Sequence, residues 1–463
     1  MLATGCASTD PTPDLDGAAS SVEAIGGVRP TWSATTPFEP LEASAWPAST
    51  PAERLSAERA VALALERNPT MRGQLAAIAA ARAALAQSET PPNPMVGFAY
   101  GAPIDGGAGS MLTASVMMQL RWLWERPAAV EAAEARLRAA TLRAADTALT
   151  IIAEVRLAHA ALVAAERERD AMDEALIAAR ELEALIAERW GAGIASAVER
   201  RAAIERRTEV ERTATLADLD AKRAKLALLE RIALSDAELG WSSDGRWPEL
   251  SDAAGALASA PSAARVDLGV AALAAEVVAA DADARLAGLR GLPELEVGAM
   301  FERSMEGDET LGPSLNASLP IFDRGDASTA AAAATRAEAR WELERAIHAV
   351  RTEARVAAEA WIAAERAWRV GSAEQLALAI ADRDAAIAAH RSGLADRVAT
   401  LEAIIVVAER SAREARDHLS VVTAAIAFER RAGVAWRDPA TSAADMARDP
   451  NAPLASSHQE ARR

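Results

Sequence analysis

Two stretches limit what this chain can fold into. Residues 127–190 and 326–390 are rich in Ala, Glu and Arg, neither holds an internal proline, and the only glycine in either is Gly371. Each reads as continuous helix, and at 1.5 Å per residue each would span roughly 95 Å. That is longer than a globular domain is wide. A helix of that length needs partners all along it, so coiled-coil packing of several such helices follows. Charges such as Glu166, Arg167, Glu168 and Arg169 suit the solvated positions of such an assembly.

The two stretches belong to a unit written twice. "ERNPTMRGQLAAIAAARAALAQSETPPNPMVGFAYG" (66–101) and "ARVDLGVAALAAEVVAADADARLAGLRGLPELEVGAMFE" (264–302) share one order: Ala-rich helix, proline-containing break, apolar alternation. Trp124-Glu125-Arg126-Pro127 stands opposite Phe322-Asp323-Arg324-Gly325, and "RWGAGIAS" (189–196) opposite "HRSGLAD" (390–396). Several landmarks at one offset of about 200 residues indicate a duplicated domain rather than a solenoid of short repeats. The organisation expected is a leader and extended segment over 1–52, a first copy over 53–235, a linker over 236–262, a second copy over 263–436 and a polar tail over 437–463. Each copy reads helix, two strands, very long helix, short break, helix.

The segments between the helices have a different period. In 95–100, Val96, Phe98 and Tyr100 alternate with Met95, Gly97 and Ala99; in 111–120, Leu112, Ala114, Val116, Met118 and Leu120 oppose Thr113, Ser115 and Gln119. Leu295, Val297, Ala299 and Phe301 share one parity in the second copy, as do Leu311, Pro313, Leu315, Ala317, Leu319 and Ile321. Period two is the mark of a strand with one apolar face. Four strands are expected, at about 94–103, 111–124, 293–303 and 311–322, in two hairpins turned by "PIDGGAGS" and "SMEGDE". Two-stranded hairpins are not stable alone in water. In a bilayer an open sheet is worse, because every edge N–H and C=O needs a partner. If these strands are membrane strands, the chain must oligomerise. Trp122 and Trp124 fall on the apolar parity of the second strand, where an aromatic interface girdle is expected.

"LPIFDRG" (319–325) marks the change of period. Pro320 removes a ladder donor where pairing ends, and Asp323 and Asp326 are candidate caps for the helix that follows. The remaining properties mostly exclude. A net charge of −17 argues against a nucleic-acid partner, which needs a basic face. Only 4% of residues are aromatic, as long Ala-rich helices require. No P-loop, dinucleotide fingerprint or nucleophile elbow occurs. The five histidines are scattered, and with a single cysteine neither a disulfide nor a cysteine-rich zinc site can form. Met117-Met118 reads as two strand residues, one on each face. No catalytic constellation is found, so no enzyme is expected. The start, "MLATGC", resembles the end of a bacterial lipoprotein signal, which would make Cys6 a lipid anchor and Ala7 an outer-membrane sorting residue; the alternative is a cysteine in a disordered leader.

Over residues 55–435 the chain resembles the TolC family of outer-membrane efflux factors. The residues that carry the resemblance are "RNP" (67–69), "PPNP" (91–94), "LPIFDRG" (319–325) and the glycine-centred breaks at Gly193 and Gly393, set in the paired layout. It implies a mainly α fold with membrane β: a homotrimer in which each protomer gives four strands to a 12-stranded barrel, continued by a periplasmic α-helical barrel. It places the protein in the outer membrane of a Gram-negative bacterium. There it would be a passive exit duct for metal cations or drugs, paired with a periplasmic adaptor and an inner-membrane transporter of RND or ABC type. The style of the first copy is most like the heavy-metal branch.

The resemblance also assigns roles to the breaks. Gly193, Ile194, Ala195 and Ser196, with Gly393, Leu394 and Ala395, correspond to the helix tips that meet the adaptor. Glu402 falls on one of two acidic positions of a cation-sensitive constriction; the other is Ala399 here, and Asp396 is a candidate to contribute instead. Arg391 and Arg397 are candidate salt links of a closed state. The alternatives are the exit duct of a type I protein secretion system and, from another class, a coiled-coil scaffold without a pore.

Overall fold

The computed structural model describes residues 8–39, 54–102, 104, 109–234, 240–250 and 255–433. Cys6 and the tail over 437–463 lie outside them. The first copy begins with two helices, α2 (Ala57–Arg67) and α3 (Pro69–Glu89). "RNP" is the joint between them. The Asn68 side chain accepts from the Thr70 N–H at 2.9 Å, and Pro69 sits at a first-turn position where no N–H partner is needed. The second copy repeats the joint one offset later. Short helical turns α6 (Ala256–Ser259) and α7 (Ala263–Val266) flank a 3-10 turn, and Asp267 caps α8 (Leu268–Leu289) by accepting from the Val270 N–H at 2.9 Å.

Each α3/α8 helix leads into a hairpin: β2 (Met95–Gly101) with β3 (Met111–Gln119), and β5 (Glu294–Arg303) with β6 (Glu309–Ser318). The hairpins join through β3 and β5 into one antiparallel sheet of order β2-β3-β5-β6. Register keeps the apolar parity together across all four strands. Phe98 lies opposite Ala114, Ala114 opposite Phe301, and Phe301 opposite Leu311. This face is open to its surroundings: Phe98, Tyr100, Leu311 and Leu315 are all exposed. Among the described residues, the outer edges of β2 and β6 pair with no further strand.

α4 (Trp122–Gly191, 70 residues) follows the first hairpin and is about 105 Å long. α5 (Ala197–Arg231) returns along it, burying Ala203, Val210, Ala214, Ala217, Ala221 and Leu228 at coiled-coil spacing. In the second copy the descending helix is α9 (Asp326–Trp368), a five-residue π-helical turn over Arg369–Ala373, then α10 (Glu374–Arg391); α11 (Arg397–Ala432) returns. α4 is the centre of the bundle, packed by α5 on one side and α11 on the other. Fully buried alanines such as Ala144, Ala148, Ala160 and Ala175 let these axes come close. One stretch of α4 has the length and apolarity to cross a membrane, yet 61% of it is buried inside the protein.

The chain crosses its own equator twice. β1 (Arg54–Leu55) and β4 (Ser242–Ser243) pair in parallel against the middle of α4. The buried Glu166 carboxylate accepts from the Ser243 N–H at 3.1 Å and from its hydroxyl, and His159 Nε2 lies 3.0 Å from the Leu55 carbonyl.

Five expectations need correction. Residues 12–26 are not extended but form helix α1 (Thr12–Gly26), which seats Leu15, Ala18 and Val22 in the core and binds Arg82 through both oxygens of Asp14 at 2.7 Å. β3 ends at Gln119, so Trp122 and Trp124 lie on the first turn of α4 and not on strand parity. Arg121, ion-paired with Glu125 and with Glu294 at 2.6 Å, turns the chain before them. β6 ends at Ser318, leaving Leu319 and Ile321 beyond the ladder. Neither Asp326 nor Asp323 caps α9: the cap residue is Gly325, left-handed at φ 78°, and Asp323 accepts from its N–H at 2.9 Å. The second long helix is interrupted by the π turn around Gly371.

Gly298 shows how closely the sheet is fitted. A Cβ there would lie 1.9 Å from the Val116 carbonyl oxygen and 2.6 Å from the Met117 sulfur, whereas one at Gly312 would meet nothing within 4 Å. Gly298→Ala is expected to cost more than about 2 kcal/mol, seen as a clear fall in the thermal midpoint in detergent, while Gly312→Ala stays close to the parent.

Candidate functional site

The end of the bundle opposite the sheet is built from two copies of one turn. α4 ends in Gly193 at φ 72°, and the Ile194 N–H donates back to the Arg189 carbonyl at 2.9 Å. α10 ends in Gly393 at φ 75°, and the Leu394 N–H donates to the Ala389 carbonyl at 2.8 Å. Both are glycine-terminated helix ends in which a left-handed residue lets the chain reverse. The next helix then starts from a capping side chain at the same offset. Ser196 and Glu199 form a reciprocal capping box on α5, and Asp396 accepts from the Val398 N–H on α11. The turns leave apolar side chains in the open: Ile194 is 77% exposed, Val198 76% and Leu394 86%. All seven residues expected at the tips, Gly193, Ile194, Ala195, Ser196, Gly393, Leu394 and Ala395, therefore lie in these two turns.

The two tips are strapped together. The Arg189 guanidinium grips both oxygens of Asp396, and Arg397 pairs with Glu181 on α4. The Arg189 partner holds the Asp396 carboxyl below its ordinary range. Asp396 is thus engaged within its own chain. Arg397 is likewise engaged within the chain, by Glu181 of α4. Arg391 and Glu402 are exposed, with no ion pair among the described residues. The structure does not bring Glu402 and Asp396 onto one carboxylate pair. No group of acidic, histidine or cysteine side chains among the described residues is arranged to hold a metal.

Two features carry no local sequence signal. Arg189 is one, since its partner is 207 positions away. The other sits where the π turn faces α11. The His418 ring lies between Trp247 of the linker, at 4.5 Å, and Trp368 at the end of α9, at 4.7 Å. Trp368 Nε1 donates to Glu414 at 3.0 Å, and the buried Ser372 hydroxyl donates to Asp417. Burial pushes the His418 imidazole below its usual pKa. π turns mark sites of adjustment within long helices; here Gly371 was the only hint.

Known structures share this architecture. A membrane protein from Pseudomonas aeruginosa aligns with TM-score 0.66 at 20% identity, over 81% of this chain and 93% of that one. The outer-membrane channel OprN aligns with TM-score 0.64 at 18% identity, over 88% and 99%. The CmeC outer membrane channel of Campylobacter jejuni gives 0.66 at 15%, over 84% and 88%. No protein-family model matches the sequence, and no curated protein does. At these identities the likeness establishes the fold. It is the TolC-like fold, and among the described residues β2, β3, β5 and β6 form an open sheet.

The cap and the strap at Asp396 give a direct test. The folded-state pKa is depressed, so the carboxylate contributes at neutral pH and the contribution is lost as pH falls through that depressed value. Asp396→Ala removes the cap and should speed amide hydrogen exchange over residues 397–400 by about fivefold, the equivalent of ~1 kcal/mol. Asp396→Asn, which can still cap, should keep most of that protection while releasing Arg189.

Proposed function

We propose that this chain is the outer-membrane exit duct of a tripartite efflux pump, acting as a homotrimer. The observation that carries the proposal is the four-stranded sheet with an exposed apolar face and two unpaired edges. Such a sheet is stable only when the apolar face meets lipid and the edges meet other strands. β2 and β6 run in opposite directions, so β6 of one copy can pair antiparallel with β2 of the next. Two copies would give eight strands, a barrel whose interior side chains fill it; three copies are the smallest ring that leaves a lumen. The helical edges ask for the same neighbour. α5 exposes Ile204, Leu216, Leu219 and Leu226, and α9 with α10 exposes Trp341, Val356, Val370 and Leu378.

In this reading the sheet spans the outer membrane and the helices extend about 100 Å into the periplasm. Trp122 and Trp124 stand at the inner membrane surface. The apolar tips, Ile194 with Val198 and Leu394, dock the helical hairpins of a periplasmic adaptor, which links the duct to an inner-membrane transporter of RND or ABC type. The duct conducts metal cations or drugs passively, with the energy supplied by that transporter. A lipid on Cys6 adds a second hold on the membrane. Glu402, three times around the axis, is the acidic group of the periplasmic constriction, and Arg391 supplies a salt link of its closed state.

Planar-bilayer recording tests the proposal. Purified protein should insert from the outer-membrane fraction and give stepwise conductance; a soluble protein with no conductance would leave the coiled-coil scaffold. Glu402→Ala should raise the concentration of hexamminecobalt needed for half-block from the periplasmic side by about tenfold. An unchanged block would remove Glu402 from the constriction.

A further inference from the structure

The face of the sheet opposite the lipid-facing one has a one-sided charge pattern. Strand register arranges it in rows across the strands. The row nearest the helices is Glu294 and Ser318; next come Gln119, Glu296 and Asn316; then Met95, Met117, Gly298 and Ser314; then Gly97, Ser115, Met300 and Gly312; then Ala99, Thr113, Glu302 and Thr310. The strand residues of this face include three glutamates, at 294, 296 and 302, and no Lys or Arg. Glu294 is neutralised by Arg121 at 2.6 Å. Arg303 falls on the lipid-facing parity and reaches toward Glu309 at 4.0 Å. Glu296 and Glu302 therefore stand as the uncompensated charges of the wall, about 20 Å apart along β5. Glu296 is also placed: the side-chain amides of Gln119 and Asn316 approach its two oxygens from the flanking strands, each at 3.5 Å. Those neutral donors orient the carboxylate without cancelling its charge. The next row, Met95, Met117, Gly298 and Ser314, carries no charge to answer it.

We infer that Glu296 and Glu302 make the membrane barrel itself a charge filter, favouring cations and opposing anions along the barrel lumen as well as at the helix tips. This rests on the trimeric duct proposed above, in which three copies set six carboxylates on a wall without a counter-charge. A channel lined by one sign and walled by low-dielectric lipid concentrates the field inside it. Solutes with net positive charge are thereby favoured over anionic ones in the last segment of the path. The effect is electrostatic and therefore salt-dependent. The screening length grows from about 10 Å at 0.1 M to about 30 Å at 0.01 M, so the preference should sharpen as salt is lowered.

Reversal potentials under a KCl gradient across a planar bilayer read this directly. The parent channel should prefer K⁺ over Cl⁻, more strongly in dilute salt. Glu296→Gln/Glu302→Gln should lower the K⁺/Cl⁻ permeability ratio at least about threefold, with each single variant intermediate. Glu296→Lys/Glu302→Lys should move it further toward Cl⁻. Thermal midpoints in detergent identify any variant that fails to fold, and the single Gln variants, which keep the side-chain size and at 296 one acceptor oxygen, then carry the test. Channels that conduct with an unchanged ratio in the Gln and Lys variants would overturn the inference while leaving the duct standing. A parent without cation preference would do the same. Absence of any conductance in the parent would instead overturn the duct, and the inference with it.

Discussion

The constraint on which the rest depends is the pairing of backbone groups at the two edges of the four-stranded sheet. β2 and β6 each present a row of N–H and C=O groups without partners. In water these edges invite aggregation, and in hydrocarbon each unmet group costs several kcal/mol. The exposed Phe98, Tyr100, Leu311 and Leu315 remove water as a resting place. Closure with further copies inside a bilayer satisfies both demands. The rest of the chain extends that closure: every strand pair leads into a long helix, so a ring of strands obliges a ring of helices beneath it.

Duplication repeats the hairpin-and-helix unit, and polar contacts fix where the two copies meet. α4 carries most of this load. Its middle holds the two linker crossings through Glu166 and His159, its end holds the second tip through Arg189 and Glu181, and its start is tied to β5 through Arg121 and Glu294. Such contacts add little net stability: desolvation offsets the attraction at buried Glu166 and His159, and solvent screens the exposed ion pairs. What they set is position, which a bundle lined with alanines would specify only loosely. The π turn, with His418 held between Trp247 and Trp368, is where the second copy departs from the first. The first copy runs through the same level as unbroken helix.

Much of this was legible in the sequence because it is periodic or punctuated. The strand faces followed from period two, and register then carried the parity intact from Phe98 to Leu311. The helix breaks followed from the matching glycines Gly193 and Gly393, while the role of tips came from the family resemblance alone. What was misread depends on tertiary partners. The apolar parity of Leu120, Trp122 and Trp124 continues past the true end of β3, and only the ion pairs of Arg121 end the strand there. α1 hides in a Pro-, Ser- and Thr-rich segment, although Leu15, Ala18 and Val22 keep helical spacing; the face is apolar only toward α3 and α4. The partner of Asp396 went unseen, because Arg189 lies in the other copy and no local pattern points to it. The charge on this face of the sheet was also visible in principle, as three even-numbered glutamates in 294–302, but it gained meaning only once register and contacts showed that Arg121 answers Glu294 and that no basic strand residue shares the face of Glu296 and Glu302.

The central claim is that the sheet closes with other copies of the same chain, β6 to β2. It is tested most directly by cysteine pairs placed along the two edge strands in a Cys6→Ser background and oxidised in native membranes. Closure predicts covalent dimers and trimers and no larger species, formed only by pairs that join β2 to β6, with an alternating yield along the strands as side chains face the same or opposite sides. Protein that stays monomeric at every pair, or forms a ladder continuing past the trimer, would contradict it.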